Sequence, residues 1–238
     1  KKNFDDKDFL ELFKKGGVAM LFRIGGQLMG FLLTFVIAYF FGANGLGDYV
    51  LAIVVLKIFT LISKLGLDTA SIKYIASYCA ERSYNGIVSF RKKALALILC
   101  TSIICSIIMY FGANVIAEFI GANSEHIRIT SFFIFPMSIF IFHYQNMRGL
   151  KEIGGYSFFF WMSQALFTLL AILVLTIFSK DENIPIYAYL IGLVVISLLS
   201  FFTFSYFLKN KKRSNQILID NKLGDSISSI LKVSIPLM

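Results

Sequence analysis

GVAMLFRIGGQLMGFLLTFVIAYFF, residues 17–41, is a long apolar run that carries Arg23 and Gln27 inside it. As a helix rising about 1.5 Å per residue it reaches roughly 37 Å, more than the ~30 Å hydrocarbon core of a bilayer. It therefore reads as a membrane span. A guanidinium at the centre of such a helix costs roughly 2.5–3.5 kcal/mol on insertion scales, so Arg23 must face other helices or water. Arg23 lies roughly 10 Å along the helix from Gly17. Two readings stand at this point: an anion site inside the membrane, or a side chain that snorkels to the headgroups.

Composition extends the membrane reading to the whole chain. Of 238 residues, 57% are hydrophobic and only 16% are charged, which excludes a soluble domain with a charged surface. The net charge of +9 is not a nucleic-acid signal in such a chain, because lysine and arginine set topology. Cys79, Cys100 and Cys105 show no CxxC or metal-ligand spacing and read as small hydrophobes. The first run is too long for the hydrophobic region of a signal peptide and has no small-residue cleavage site after it. The sequence starts at Lys1 and ends at Met238 just as another apolar run begins, so the expectation is the N-terminal part of a longer protein.

Outward from residues 17–41, further apolar segments follow at 49–66, 94–120, 129–145, 156–178 and 186–208. The glycine-rich GANGLGD, residues 42–48, reads as a short hairpin turn between the first two. Residues 1–208 thus form one transmembrane lobe, 209–226 a basic and amphipathic linker, and 227–238 the start of a seventh span that Ser226 can cap. Residues 1–15 read either as an interfacial amphipathic helix or as a solvated arm. Within 67–93, Ile72, Ile75, Ala76 and Cys79 recur at helical spacing. Seventeen of the 23 lysines and arginines fall in residues 1–15, 67–93, 146–155 and 209–222, and only Arg128 and Lys180 in the turns between. That bias predicts a cytoplasmic N-terminus. The fold class expected is an all-α membrane protein, a six-helix bundle plus the start of a seventh span.

Candidate residues follow from depth and spacing. If the first two segments are antiparallel, Lys57 lies roughly 13 Å from the inner end, at a depth similar to Arg23. Two cations at one level can bind a phosphate or pyrophosphate; each can also snorkel. Arg23, Lys57 and Gln27 are the substrate-binding candidates, and Lys64 reads as an interfacial anchor. Gly26 and Gly30 have the GxxxG spacing that lets another helix approach closely. Pro136 should bend the fourth segment, as a hinge or as a static kink. Phe158 to Trp161 read as an aromatic belt, His126 as a loop histidine and His143 as interfacial. There is no HExxH, GxSxG or Walker loop, and no Asp or Glu near the middle of a span. No catalytic residue, metal or cofactor is expected, and transport of something anionic fits better than catalysis.

Four pieces carry a family resemblance: FGANGLGDY at 41–49, KLGLDTASIKYIA at 64–76, MRGLKE at 147–152 and KVSIPL at 232–237. In order and spacing the chain resembles the N-terminal half of Wzx-type polysaccharide flippases, within the multidrug/oligosaccharidyl-lipid/polysaccharide exporter superfamily. The resemblance implies two six-helix lobes rocking about a central cavity in a bacterial inner membrane. It implies an undecaprenyl-pyrophosphate-linked oligosaccharide as cargo, for O-antigen, lipopolysaccharide or capsule, with membrane lipids and polysaccharide polymerase machinery as partners and no nucleic acid. Arg23 resembles the first-helix arginine that lipid II flippases turn toward the pyrophosphate. Lys57 matches no motif of the family. Two other readings remain open: a cation-coupled drug exporter of the same superfamily, and a non-transporting scaffold of a polysaccharide-assembly complex.

Overall fold

A computed structural model describes residues 6–179, 181–214, 217 and 226–237, and side chains from Phe13 onward. Lys180, most of the 215–225 stretch and the first five residues lie outside it, and with them part of the expected N-terminal helix and of the linker. Among the described residues every regular element is helical: α1 (Asp6–Ser63), α2 (Leu67–Ala80), α3 (Tyr84–Phe111), α4 (Ala113–Ile120), α5 (Ser124–Ser131), α6 (Ile134–Gly149) and α7 (Ile153–Ser157). A π-helical segment, Phe158–Ser163, joins α7 to α8 (Gln164–Phe178), followed by α9 (Ile184–Arg213) and α10 (Ile227–Ser234). The protein is an all-α, multi-pass membrane protein.

α1 holds a 51-residue apolar stretch, Phe13–Ser63, which as one straight rod would reach about 77 Å. It does not run straight. Gly42 has φ 72 and ψ −175, a region that in practice only glycine occupies, and the helix turns back there. Leu33 and Ile37 before the break, and Leu46 and Tyr49 after it, pack on one small cluster with Ile172 of α8 and Ala188 of α9. The expected seven-residue turn is thus a single residue, and helix resumes at residue 43, because Gly45 and Gly47 keep helical dihedrals. Four described helices are long and apolar enough to cross a membrane, or five when the bent pair α5 and α6 counts as one. Dividing α1 at Gly42 gives six crossing lengths.

The other breaks have equally local causes. α5 and α6 meet at 54° across Phe132 and Phe133. Phe133, at φ −100 and ψ 5, leaves helical dihedrals there, and Pro136 one turn further on has no N–H to offer the carbonyl four residues back. The expected single span 94–120 begins instead at Tyr84 and breaks at Gly112. Ser83 caps its start by accepting the Gly86 N–H at 3.0 Å. α2 buries Leu67, Ser71, Ile75 and Tyr78 while Ala76 is exposed, so the buried stripe is rotated from the one expected. Gly149 of α6 fixes that rotation, packing so closely on Ile75 that a Cβ at Gly149 would collide with it.

The second arm of α1, residues 43–63, lies in the core: Ala52, Ile53, Val55 and Leu56 are buried with residues of α3, α6 and α9. Ser63 pairs its hydroxyl with Ser138 of α6 at 2.7 Å, and Thr101 of α3 donates to its carbonyl. The first arm sits at the edge of the bundle. Leu21, Leu28, Phe31 and Phe35 are exposed on it, and Gly26 is the glycine of this arm packed most closely against the rest. At the basic end, Lys211 of α9 bridges Glu152 at 3.3 Å and Lys212 lies over the Tyr84 ring. α10 docks there on α2, where Tyr74 donates to the Ser229 carbonyl and Ser226 accepts the Ser229 N–H at 3.2 Å. At the opposite end His126 and Asn183 tie the two turns together at 2.6 Å.

Candidate functional site: a cationic groove beside the π-helical segment

Lys57, Thr60, Leu61 and Lys64 fall at i, i+3, i+4 and i+7, so one face of the second arm carries them all. That face forms one wall of a groove of about 430 Å³, which Tyr144, Phe140 and Met137 of α6, Phe159 and Phe160, Gln164 of α8 and Tyr189 of α9 complete. Lys57 is exposed in it. Among the described residues no Asp or Glu lines it. Gln164 donates its amide to Thr168 Oγ1 at 3.1 Å, while its buried carbonyl oxygen has no hydrogen-bond donor. The groove therefore offers one open ammonium group, Lys57, with Lys64 beside it, an orphan acceptor and aromatic walls, a set suited to an anionic group joined to a hydroxyl-bearing one.

Lys64 departs from its expected place as an interfacial anchor. It is 7% exposed, and its Nζ donates to Asp68 Oδ2 at 2.7 Å. The chain reverses between them at Leu65 and Gly66, both left-handed, with φ 48 and 68. This turn brings the N-terminus of α2, and with it Asp68, back onto the end of the second arm.

Arg23 stands on the other side of the π-helical segment. Its guanidinium lies 5.0 Å from the Trp161 ring centre, a cation–π contact. It is exposed, as is Gln27 one turn on, and neither lines the groove. The structure thus joins Lys57 to Lys64 rather than to Arg23, with Phe160 and Trp161 as the link between the two places. The aromatic run 158–161 is not a simple belt in the headgroup zone: Phe159 is buried and Phe160 lines the groove. The widened π turn brings the Trp161 carbonyl against Gly26, where any Cβ would collide with it. Gly30 has open space around its Cα, so only one glycine of the pair makes close contact. Pro136 lies across α6 from the groove, lining a separate apolar slot of about 300 Å³ with Leu95, Val194 and Phe201.

His143 is also displaced from its expected interfacial place. It is 1% exposed, and Arg91 donates to its Nε2 at 3.4 Å, so Nδ1 carries the proton toward Ser200 Oγ at 3.3 Å. The Arg91 guanidinium is held between Phe201 and Phe204 at 4.9 and 4.7 Å. This cluster clamps α3, α6 and α9 together. The pairing of Lys64 with Asp68 had a visible signal in its i, i+4 spacing, whereas Gln164, Tyr144 and the Arg91–His143 cluster had none. No group of three or more metal-ligating side chains occurs among the described residues.

Comparison with known proteins adds one finding. No curated protein and no solved structure matches the chain. A family profile described as "polysaccharide biosynthesis protein" matches residues 12–238, a span that takes in both arms of α1, the groove and α10. With nearly the whole chain covered by that match, this all-α membrane protein belongs to the polysaccharide biosynthesis protein family.

Proposed function

We propose that the protein is a transporter rather than an enzyme, a flippase for an undecaprenyl-pyrophosphate-linked oligosaccharide used in surface-polysaccharide synthesis. In this reading it works in a bacterial inner membrane, basic end and N-terminus toward the cytoplasm, and carries its cargo from the cytoplasmic to the outer leaflet. The six-helix bundle acts as one lobe of a two-lobed rocking machine. Cargo of this kind has an anionic pyrophosphate between a sugar and a polyprenyl tail, and the groove matches its parts. Lys57 and Lys64 meet the pyrophosphate, the free carbonyl of Gln164 takes a sugar hydroxyl, and the apolar wall lies along the tail. Arg23, exposed beside Trp161, supplies a further cation on the first arm.

The observation that carries this reading is Lys57, an ammonium open to a groove with no acidic side chain in its lining. A cation at membrane depth is retained where a water-filled path or an anionic partner compensates it. A scaffold packed for assembly alone has no use for such a groove, and a cation-coupled drug exporter calls for a carboxylate in it. Deleting the gene tests the proposal. The expected result is loss of surface polysaccharide with lipid-linked repeat units accumulating in the inner leaflet, restored by the unaltered gene and not by Lys57→Met. Unchanged surface polysaccharide after deletion would overturn it.

A further inference from the structure

Lys64 lines the groove, yet a carboxylate of its own chain closes it off. Its Nζ lies 2.7 Å from Asp68 Oδ2, with the two side chains only 9% and 12% exposed. Lys57 lies two turns back on the same helical face, about 10 Å away in rise, and is open. An anion entering the groove therefore meets Lys57 without competition and reaches Lys64 only by displacing Asp68.

The surroundings of the pair suit exchange. A carboxylate presents to an ammonium the same short, charge-assisted hydrogen bond that a phosphate oxygen presents. Lysine, a compact charge on a flexible four-carbon stem, can move between two such partners without leaving its helix. Asp68 stands in the first turn of α2, where the unpaired N–H groups and the helix dipole favour negative charge. When Lys64 departs, the carboxylate keeps that favourable field. The pair also spans a turn with a non-glycine residue in the left-handed region, Leu65 at φ 48, so it bridges two elements instead of bracing one regular helix.

We propose that Asp68 is a built-in stand-in for the cargo phosphate, which holds Lys64 in the unloaded groove and yields it to the pyrophosphate of a polyprenyl-linked saccharide. Lys64 is then a phosphate ligand under the control of Asp68. The loaded groove presents two cations to the cargo and the unloaded groove only one. This deepens the function proposed above and rests on its anionic cargo.

The test is equilibrium binding of farnesyl pyrophosphate, with farnesol as the uncharged control, to the full-length protein in phosphatidylcholine nanodiscs. Asp68→Asn removes the competitor and should tighten farnesyl pyrophosphate binding roughly tenfold, while leaving farnesol unaffected. Lys64→Met should weaken it by a similar factor, and the double variant should bind like Lys64→Met. If farnesyl pyrophosphate binds the unaltered protein no better than farnesol, the anionic-cargo reading fails and the stand-in with it. If it binds the unaltered protein well but Asp68→Asn binds equally or more weakly, the stand-in alone is overturned. A second measurement does not depend on the variants folding. Dicyclohexylcarbodiimide labelling of Asp68 in the unaltered protein should rise when farnesyl pyrophosphate takes Lys64 away; unchanged labelling at saturating ligand would overturn the exchange.

Discussion

Gly26 shows how much one hydrogen atom decides in this bundle. The carbonyl of Trp161 occupies the place where a Cβ would stand, so Gly26→Ala must push the first arm away from the π-helical segment. Overpacking of this kind costs about 1–3 kcal/mol, and the expected outcome is a clearly lower thermal unfolding midpoint in detergent. Gly30→Ala, with open space around it, should leave the midpoint within the error of the same measurement. The GxxxG spacing was legible in the sequence, but which glycine bears the contact depends on helix rotation and on a π turn that no spacing announces. Arg91 teaches the same lesson from the polar side. It read as one charge of a basic connection, and it is held between two phenylalanine rings while donating to a buried histidine. A lysine has neither the planar face nor the fork for both roles. Arg91→Lys should therefore destabilise nearly as much as Arg91→Ala, by roughly 1–3 kcal/mol in the same unfolding measurement. Full recovery with lysine would mean that charge alone matters there.

At the scale of helices, apolar runs told which stretches form helices long and apolar enough to cross a membrane, because burial in lipid demands length and composition and little else. They told the ends poorly. A helix stops where one residue leaves helical dihedrals, and that is a backbone property: Gly42 ends the first arm although GANGLGD offered three glycines, and α5 parts from α6 where Phe133 stands at φ −100 and ψ 5. Gly42→Ala forces a Cβ into a φ 72, ψ −175 conformation. The strain of about 1–3 kcal/mol favours a straight rod or a displaced turn. Asn44→Cys, at an exposed position beside the break, should be labelled by a water-soluble thiol reagent and should lose much of that labelling in the Gly42→Ala background. Pro136 behaves differently. It is the third residue of α6, where backbone N–H groups have no partner within the helix in any case. The bend is also held by Ser106, which donates to the Ser131 carbonyl at 2.8 Å, and by Phe133 N–H on the Thr130 carbonyl. Pro136→Ala should therefore keep the bend. Spin labels at the exposed positions 125 and 148 should give one distance distribution with proline or alanine at 136, whereas a second population appearing with alanine would mark a hinge.

For the whole molecule, the chain's class and its basic end could be read from composition, since both are sums over many residues. The groove could not. It is a space between four parts of the chain, and only its Lys57 wall has a pattern along the sequence; Tyr144, Phe160, Gln164 and Tyr189 enter through packing. By depth alone Lys57 pairs with Arg23, whereas in the structure Lys57 and Lys64 line one groove and Arg23 lies outside it. At the centre of the proposed function stands a groove that carries a lipid pyrophosphate across the bilayer. The most direct measurement uses full-length protein in proteoliposomes with a fluorescent polyprenyl-pyrophosphate-linked saccharide in both leaflets, scored by the fraction that a membrane-impermeant quencher reaches over time. Label from the inner leaflet should become quenchable with the unaltered protein, and Lys57→Met should slow this at least tenfold, the factor for one lost interaction of about 1.4 kcal/mol. Equal rates for protein-free liposomes and the unaltered protein, or for Lys57→Met and the unaltered protein, would contradict it.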